Sequence, residues 1–197
     1  MLPRIALVSM VATIALGCGA TNSFDGTVAG NTLRVEASIF LPLQDSTGTT
    51  LGAALVMTDV ADLCAAFIAN RLPKNMTAAA FLVFRTQDSG STRVRLAPDQ
   101  GTYTVVLERN AADIATLPVN YAFASFFKGD ANCSNLVDFT HAEAQSGIID
   151  VDQIDLGAGG TMTGNFDVRF GSQNDQVKGT FNASLCDTKV YVSRTCG

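Results

Sequence analysis

Leu33, Val35, Ala37 and Ile39 alternate with Thr32, Arg34, Glu36 and Ser38. A period of two turns one set of side chains inward and the other outward, so this stretch predicts a half-buried strand. The same signal recurs down the chain. LGAALVMT at 51–58 is apolar on both faces and predicts a covered strand. TAAAFLVFR at 77–85 sets Phe81 and Val83 against Leu82 and Phe84, and TRVRL at 92–96 alternates. GTYTVVLE at 101–108 follows the turn residues Pro98-Asp99-Gln100-Gly101. VNYAFASFFK at 119–128 puts Tyr121, Phe123 and Phe127 on one side and Phe126 on the other. LVDFTHAEA at 136–144 and SGIIDVDQIDL at 146–156 are two more candidates, the second with Ile149 and Val151 facing away from Asp150 and Asp152.

One stretch has the helical period instead. In TDVADLCAAFIANRLP at 58–73, Val60, Leu63, Cys64, Phe67, Ile68 and Leu72 form a single apolar stripe. Asp59 is placed to cap the N-terminus and Pro73 to stop the helix. Near the C-terminus, TGNFDVRFG at 163–171 is echoed by KGTFNASLC at 178–186, with Gly164 and Phe166 repeated as Gly179 and Phe181. The polar turn SQNDQ lies between them. This predicts one antiparallel hairpin with Phe166, Val168 and Phe170 on the same face as Phe181, Ala183 and Leu185. Some nine to eleven short strands and one helix amount to a mainly β chain. The expected fold is an antiparallel β-sandwich with one short helix over an end or edge, and a closed β-barrel is the alternative.

The first residues break this pattern. From Ile5 to Leu16 the chain is apolar apart from Ser9 and Thr13, and Arg4 is the only charge before Cys18. A dozen residues are too few to span a hydrocarbon core roughly 30 Å thick, and they suit the apolar region of a signal peptide. Ala15-Leu16-Gly17-Cys18 resembles the lipobox of bacterial lipoproteins, although Ala15 stands where Leu is commoner. The resemblance implies cleavage before Cys18, a thioether from its thiol to diacylglycerol, and a fatty acid such as palmitate on the new amino terminus. Two or more acyl chains are enough for stable anchoring. Gly19, a residue other than Asp, fits sorting to the outer membrane in that family. The expected organisation is a signal peptide at 1–17, a lipidated tether at 18–23 and a single β-rich domain at 24–197.

GTVAGNTLRV, DLCAAF, DQGTYTV and GNFDVRFGSQNDQVKGTFNASLC together resemble a family of exported, β-rich lipoproteins seen in predatory and soil δ-proteobacteria. That resemblance implies export and a β fold, and it implies no activity.

Composition narrows the partners. The formal net charge is −5, and it becomes −6 once Arg4 leaves with the signal peptide. An acidic chain with 16% charged residues lacks the clustered Lys and Arg of a nucleic-acid binder. Apart from Cys18, the cysteines are Cys64, Cys133, Cys186 and Cys196. An even set in an exported chain predicts two disulfides. Three connectivities are open, and Cys186–Cys196 with Cys64–Cys133 is the favoured one. Cys64 lies on the helix stripe, so its partner should sit where the helix meets the sheet. A zinc site would lack both a C-x-x-C pair and a nearby histidine.

Catalytic motifs are missing from the sequence. It has no Gly-rich phosphate loop, no Gly-x-Ser-x-Gly elbow and no His-Glu-x-x-His. The single histidine, His141, has no identifiable triad partners. Asp150, Asp152 and Asp155, with Glu143 nearby, are candidate metal ligands or a candidate carboxylate pair for glycan hydrolysis. A solvated strand face accounts for them more simply. Tyr121, Phe123 and Phe127 are a candidate binding face, with core packing the plainer reading. No cofactor is implied. The sequence therefore favours a non-enzymatic, lipid-anchored envelope protein that binds a protein or glycan partner or has a structural role. The alternatives are an envelope glycan hydrolase using the Asp150/Asp152 region and a small-ligand carrier.

Overall fold

The computed structural model describes residues 21–90, 92–107, 114–188 and 195–197. In chain order these form β1 (Asp25–Gly26), β2 (Ala37–Gln44), β3 (Thr50–Thr58), α1 (Leu63–Ile68) and β4 (Arg71–Leu72). Then come β5 (Thr77–Ser89), β6 (Thr92–Leu96), β7 (Gly101–Val105), β8 (Asn120–Lys128) and α2 (Phe139–Ala142). The last are β9 (Ala144–Ile154), β10 (Thr161–Phe170), β11 (Asp175–Leu185) and β12 (Thr195–Cys196).

The chain is mainly β, and its sheet closes. The order β2-β3-β5-β8-β7-β9-β10-β11 returns to β2 through Ser184↔Ile39 and Leu185↔Phe40, giving an eight-stranded barrel. This corrects the sandwich expectation in favour of its alternative. Alternation within strands cannot distinguish the two architectures, because both have one inward and one outward face. Closure depends instead on a parallel contact between strands some 145 residues apart, which local pattern does not encode. A second parallel pair, β7 with β8, lies elsewhere in the ring. The other neighbours in the barrel are antiparallel.

The interior is filled by side chains. Phe40, Leu55, Phe81, Tyr103, Ile149, Phe170 and Phe181 are fully buried there, with Phe126 and Phe166 almost so. Small residues on the inward faces of β3, β5 and β8, such as Ala53, Ala79 and Ala122, leave room for these rings. The echoed Gly-x-Phe motif explains part of the fit. The β10–β11 register sets Gly164 opposite Phe181 and Phe166 opposite Gly179. A Cβ on Gly164 would lie 2.6 Å from the Phe181 ring and 2.0 Å from the Asp150 carbonyl oxygen. A Cβ on Gly179 would lie 2.6 Å from the Phe166 ring and 2.1 Å from the Ser23 carbonyl oxygen. Each glycine thus makes the space that the phenylalanine across from it fills.

Several local expectations are corrected. Residues 32–36 precede β2, and the chain bends at Glu36. Leu33 and Val35 still pack into the interior, but the phase flips past the bend. Phe40 then points inward, while Ile39, Leu41 and Leu43 face out beneath a second apolar layer. The helix is shorter than its apolar stripe. It ends at Ile68, because Asn70 takes a left-handed conformation at φ 56°, and Arg71–Leu72 turn back as β4. Asp59 does not cap it. Its carboxylate accepts the Thr77 N–H at 2.8 Å, tying the start of this excursion to its end. Of the strand expected at 136–144 only Ala144, which opens β9, is strand, since Asp138 caps α2 by accepting the Thr140 N–H at 2.8 Å.

Both disulfides differ from the favoured pairing. Cys64 bonds Cys186, and Cys133 bonds Cys196. Cys186 follows β11 and donates its N–H to the Phe40 carbonyl, so it lies on the barrel wall directly under α1. The expectation that the partner of Cys64 sits where helix meets sheet is met by this residue. Cys196 comes to Cys133 because β12 runs parallel to β4. Nearness in sequence misled here, since the chain ends come together only through the barrel.

Candidate functional site

The three aspartates of the acidic segment do separate local jobs. Asp150 pairs with Asn165 on β10, and its carboxylate accepts the Thr102 hydroxyl at 2.6 Å. Asp152 sits at a bulge, where Gln153 pairs with Thr163 and Val151 with Gly164, leaving Asp152 without an opposite residue. Asp155 has already left the strand and accepts the Gly157 N–H at 2.8 Å, forming its own turn. Among the described residues no three His, Cys, Asp or Glu side chains converge to hold a metal ion. Ile149 and Val151 point inward, so the segment is built as a solvated strand face.

His141 lies in α2. Its Nδ1 is 3.3 Å from the Thr140 hydroxyl and 4.0 Å from the Asp138 carboxylate. The Asp138 carboxyl is held below the usual carboxylate range, first by the Thr140 hydroxyl and then by the Thr140 N–H, with a small contribution from His141. This is the electrostatics of a helix cap. Glu143, which follows α2, is buried at 6% exposure. Its backbone bridges to Ser125 on β8, and its carbonyl accepts the Gly171 N–H at 2.9 Å. With Leu82, Val106, Phe123 and Ser125 it lines a pocket of about 30 Å³. That is room for about one water. Substrate and cofactor sites are typically ~300–1,000 Å³. Glu143 is visible in the sequence only as a carboxylate between a capped turn and an apolar strand.

The aromatic face of β8 belongs to the outer apolar layer. Tyr121 stacks on Phe84 at 5.2 Å between ring centroids, and Phe123 meets both rings edge-on. Arg95 lies over the Phe84 ring at 4.7 Å, and its Nε donates to the Tyr121 hydroxyl at 3.1 Å. Leu63 of α1, Met76 and Leu117 complete the layer. Tyr121 is fully buried, so this is packing and not an open binding surface. The large apolar side chains that do stand out include Leu136 and Phe139, at 63% and 64% exposure, on the segment linking β8 to β9.

The N-terminal segment is where the structure adds most. Cys18 and the expected signal peptide lie outside the described residues. Thr21–Ser23, expected to be tether, run along the edge of β11. The Thr180 hydroxyl donates to the Thr21 carbonyl. The Asn182 N–H donates to the Asn22 side-chain oxygen at 2.7 Å, and the Ser23 N–H donates to the Thr180 carbonyl at 2.9 Å. β1 continues the pairing at Asp25↔Lys178 and Gly26↔Val177, and Phe24 packs against Phe126 and Phe166. No described helix is long and apolar enough to cross a membrane. Comparison of the chain with protein-family models, with curated proteins and with solved structures finds no match.

Proposed function

We propose that this chain is an exported, lipid-anchored β-barrel of the bacterial cell envelope, held at the outer membrane through Cys18, that works by binding a partner and not by catalysis. The observation that carries the reading is the cysteine arithmetic. Of five cysteines, Cys64, Cys133, Cys186 and Cys196 pair with one another. Cys18 belongs to neither of these two disulfides. It stands directly behind the apolar run and three residues before a docked segment. Two disulfides support an oxidising compartment. The side-chain-filled barrel supports a binding role over that of a small-ligand carrier. The separate local roles of Asp150, Asp152 and Asp155 support it over that of a glycan hydrolase. Leu136 and Phe139 are exposed apolar side chains that a protein or glycan partner could cover.

The test is Cys18→Ala in the native host. We expect an unprocessed protein that takes up no labelled palmitate analogue. Mature-sized protein with unchanged membrane attachment would overturn the reading. Cross-linking in intact cells, followed by mass spectrometry, identifies the partner.

A further inference from the structure

Which end of the barrel faces the membrane follows from where the chain enters it. β11, β2, β5 and β9 finish at one end, together with the 45–49 and 155–160 turns. The opposite end carries α2 and the 171–174 turn. Asn22 is bonded at Asn182, three residues from the finish of β11 at Leu185 and seven from its start at Asp175. Since β1 runs antiparallel to β11, the chain before Thr21 comes from the 155–160 end.

The stretch from Cys18 to the first described and bonded residue, Thr21, is short. From Cys18 to Thr21 there are three peptide steps, which reach at most roughly 10 Å. β10 alone has ten residues, so the barrel is about 33 Å long along a strand, or roughly 25 Å along its axis at the usual tilt. A ~10 Å leash attached near one end of such a body holds that end close to the bilayer surface and excludes the inverted arrangement, in which the α2 end alone would face the lipid. Charge does not drive this geometry, since the two turns at this end carry Asp45 and Asp155. At the leash end Arg85 pairs with Asp99 and Arg93 with Asp88, leaving those cations no surplus for acidic headgroups.

Resting on the lipid anchor at Cys18, we propose that the barrel stands with the end bearing the 45–49 and 155–160 turns against the lipid headgroups, and the α2 end, with Leu136 and Phe139, turned away. The membrane-facing partner of the first end is the phospholipid surface itself. Whatever binds the second end approaches from the aqueous side.

Absence of tryptophan from the chain makes this measurable. Ala158→Trp reports on the 155–160 turn and Ser172→Trp on the 171–174 turn, both at exposed positions. Each lipidated protein is purified from membranes and reconstituted into phosphatidylcholine vesicles doped with dansyl-phosphatidylethanolamine. Energy transfer from tryptophan to the dansyl headgroup is then read. Vesicle flotation is scored first. Protein that stays behind contradicts the anchor, whereas floating protein isolates the orientation. Transfer several-fold greater from position 158 than from position 172 is expected, and ten Gly/Ser residues inserted between Ala20 and Thr21 should collapse the difference. Equal transfer from the two positions of the floating protein, or greater transfer from 172, overturns the orientation.

Discussion

Gly164 and Gly179 show how much of the barrel is decided by single atoms. Both sit where a methyl group would strike a carbonyl oxygen at about 2 Å as well as the ring across the hairpin. Flexible rings can move, but backbone cannot move cheaply. Gly179→Ala should therefore cost about 2–3 kcal/mol, at the upper end for overpacking. Loss of less than ~0.5 kcal/mol in chemical denaturation, a typical surface effect, would show that the interior has slack. Tyr103 is a second such residue. Fully buried, its hydroxyl donates to the Asp99 carbonyl at 2.7 Å and accepts the Asp99 N–H at 3.0 Å, so it holds the turn before β7. Burial pushes its phenol pKa up. Tyr103→Phe should cost about 1 kcal/mol, one net hydrogen bond, and a neutral result would mean that solvent satisfies the turn equally well.

Acid sensitivity also belongs to single residues. Asp45, Asp88, Asp138 and Asp167 are each held below the ordinary carboxylate value of 3.8, with hydrogen bonds as the leading cause. A carboxylate with a lower pKa in the folded state stabilises the fold above its unfolded pKa, and that contribution disappears as pH falls through the folded one. Melting temperature should therefore drop below about pH 4. In Asp167→Asn, which removes the titrating carboxylate and its ion pair with Lys178 while keeping an acceptor for the Gln176 amide, the drop should be smaller. An identical acid profile in that variant would remove Asp167 from the cause.

At the scale of elements, the two disulfides act differently although both close long loops. In a chain-entropy view, linking residues 122 apart restricts the unfolded state by about 4–5 kcal/mol, and 63 apart by nearly as much. The native states decide between them. Cys64–Cys186 pins α1 to the barrel wall within a buried layer. Cys133–Cys196 holds a two-residue strand, and Cys196 is exposed. Without that second bond the last residues can peel away and recover entropy in the folded state. Removing Cys64–Cys186 as paired alanines should cost about 2–5 kcal/mol, and removing Cys133–Cys196 clearly less. Equal losses would mean that the C-terminal strap is as integral as α1.

The elements also show what was readable from the chain. Strands with inward aromatics, such as 77–85 and 163–170, were legible because ring size and alternation point the same way. The helix at 58–73 was legible in kind but not in length. Its apolar stripe continues to Leu72, but Asn70 adopts a left-handed conformation that local apolar pattern does not specify. The strand expected at 136–144 failed because Asp138-x-Thr140 is a capping signal inside an apolar stretch. The role of the echoed motif as a ring-and-gap exchange required the register, which period alone leaves open by two residues in either direction.

At the scale of the whole molecule, a filled barrel with a docked N-terminal edge offers little room inside and a defined way of being held. Closure through β11 and β2 was illegible because it joins distant strands in parallel over only two residue pairs. The proposed address rests on the first eighteen residues, which lie outside the described ones, and its geometric consequence was not legible in them. Only the pinning of Thr21–Ser23 to β11 turns an expected six-residue tether into a three-step leash. The most direct measurement is the intact mass of the protein purified from its native membrane. The expected species starts at Cys18, carries two or three acyl chains, and gains four hydrogens on reduction. A chain that still begins at Met1, or one that begins elsewhere with Cys18 an unmodified thiol, would contradict it.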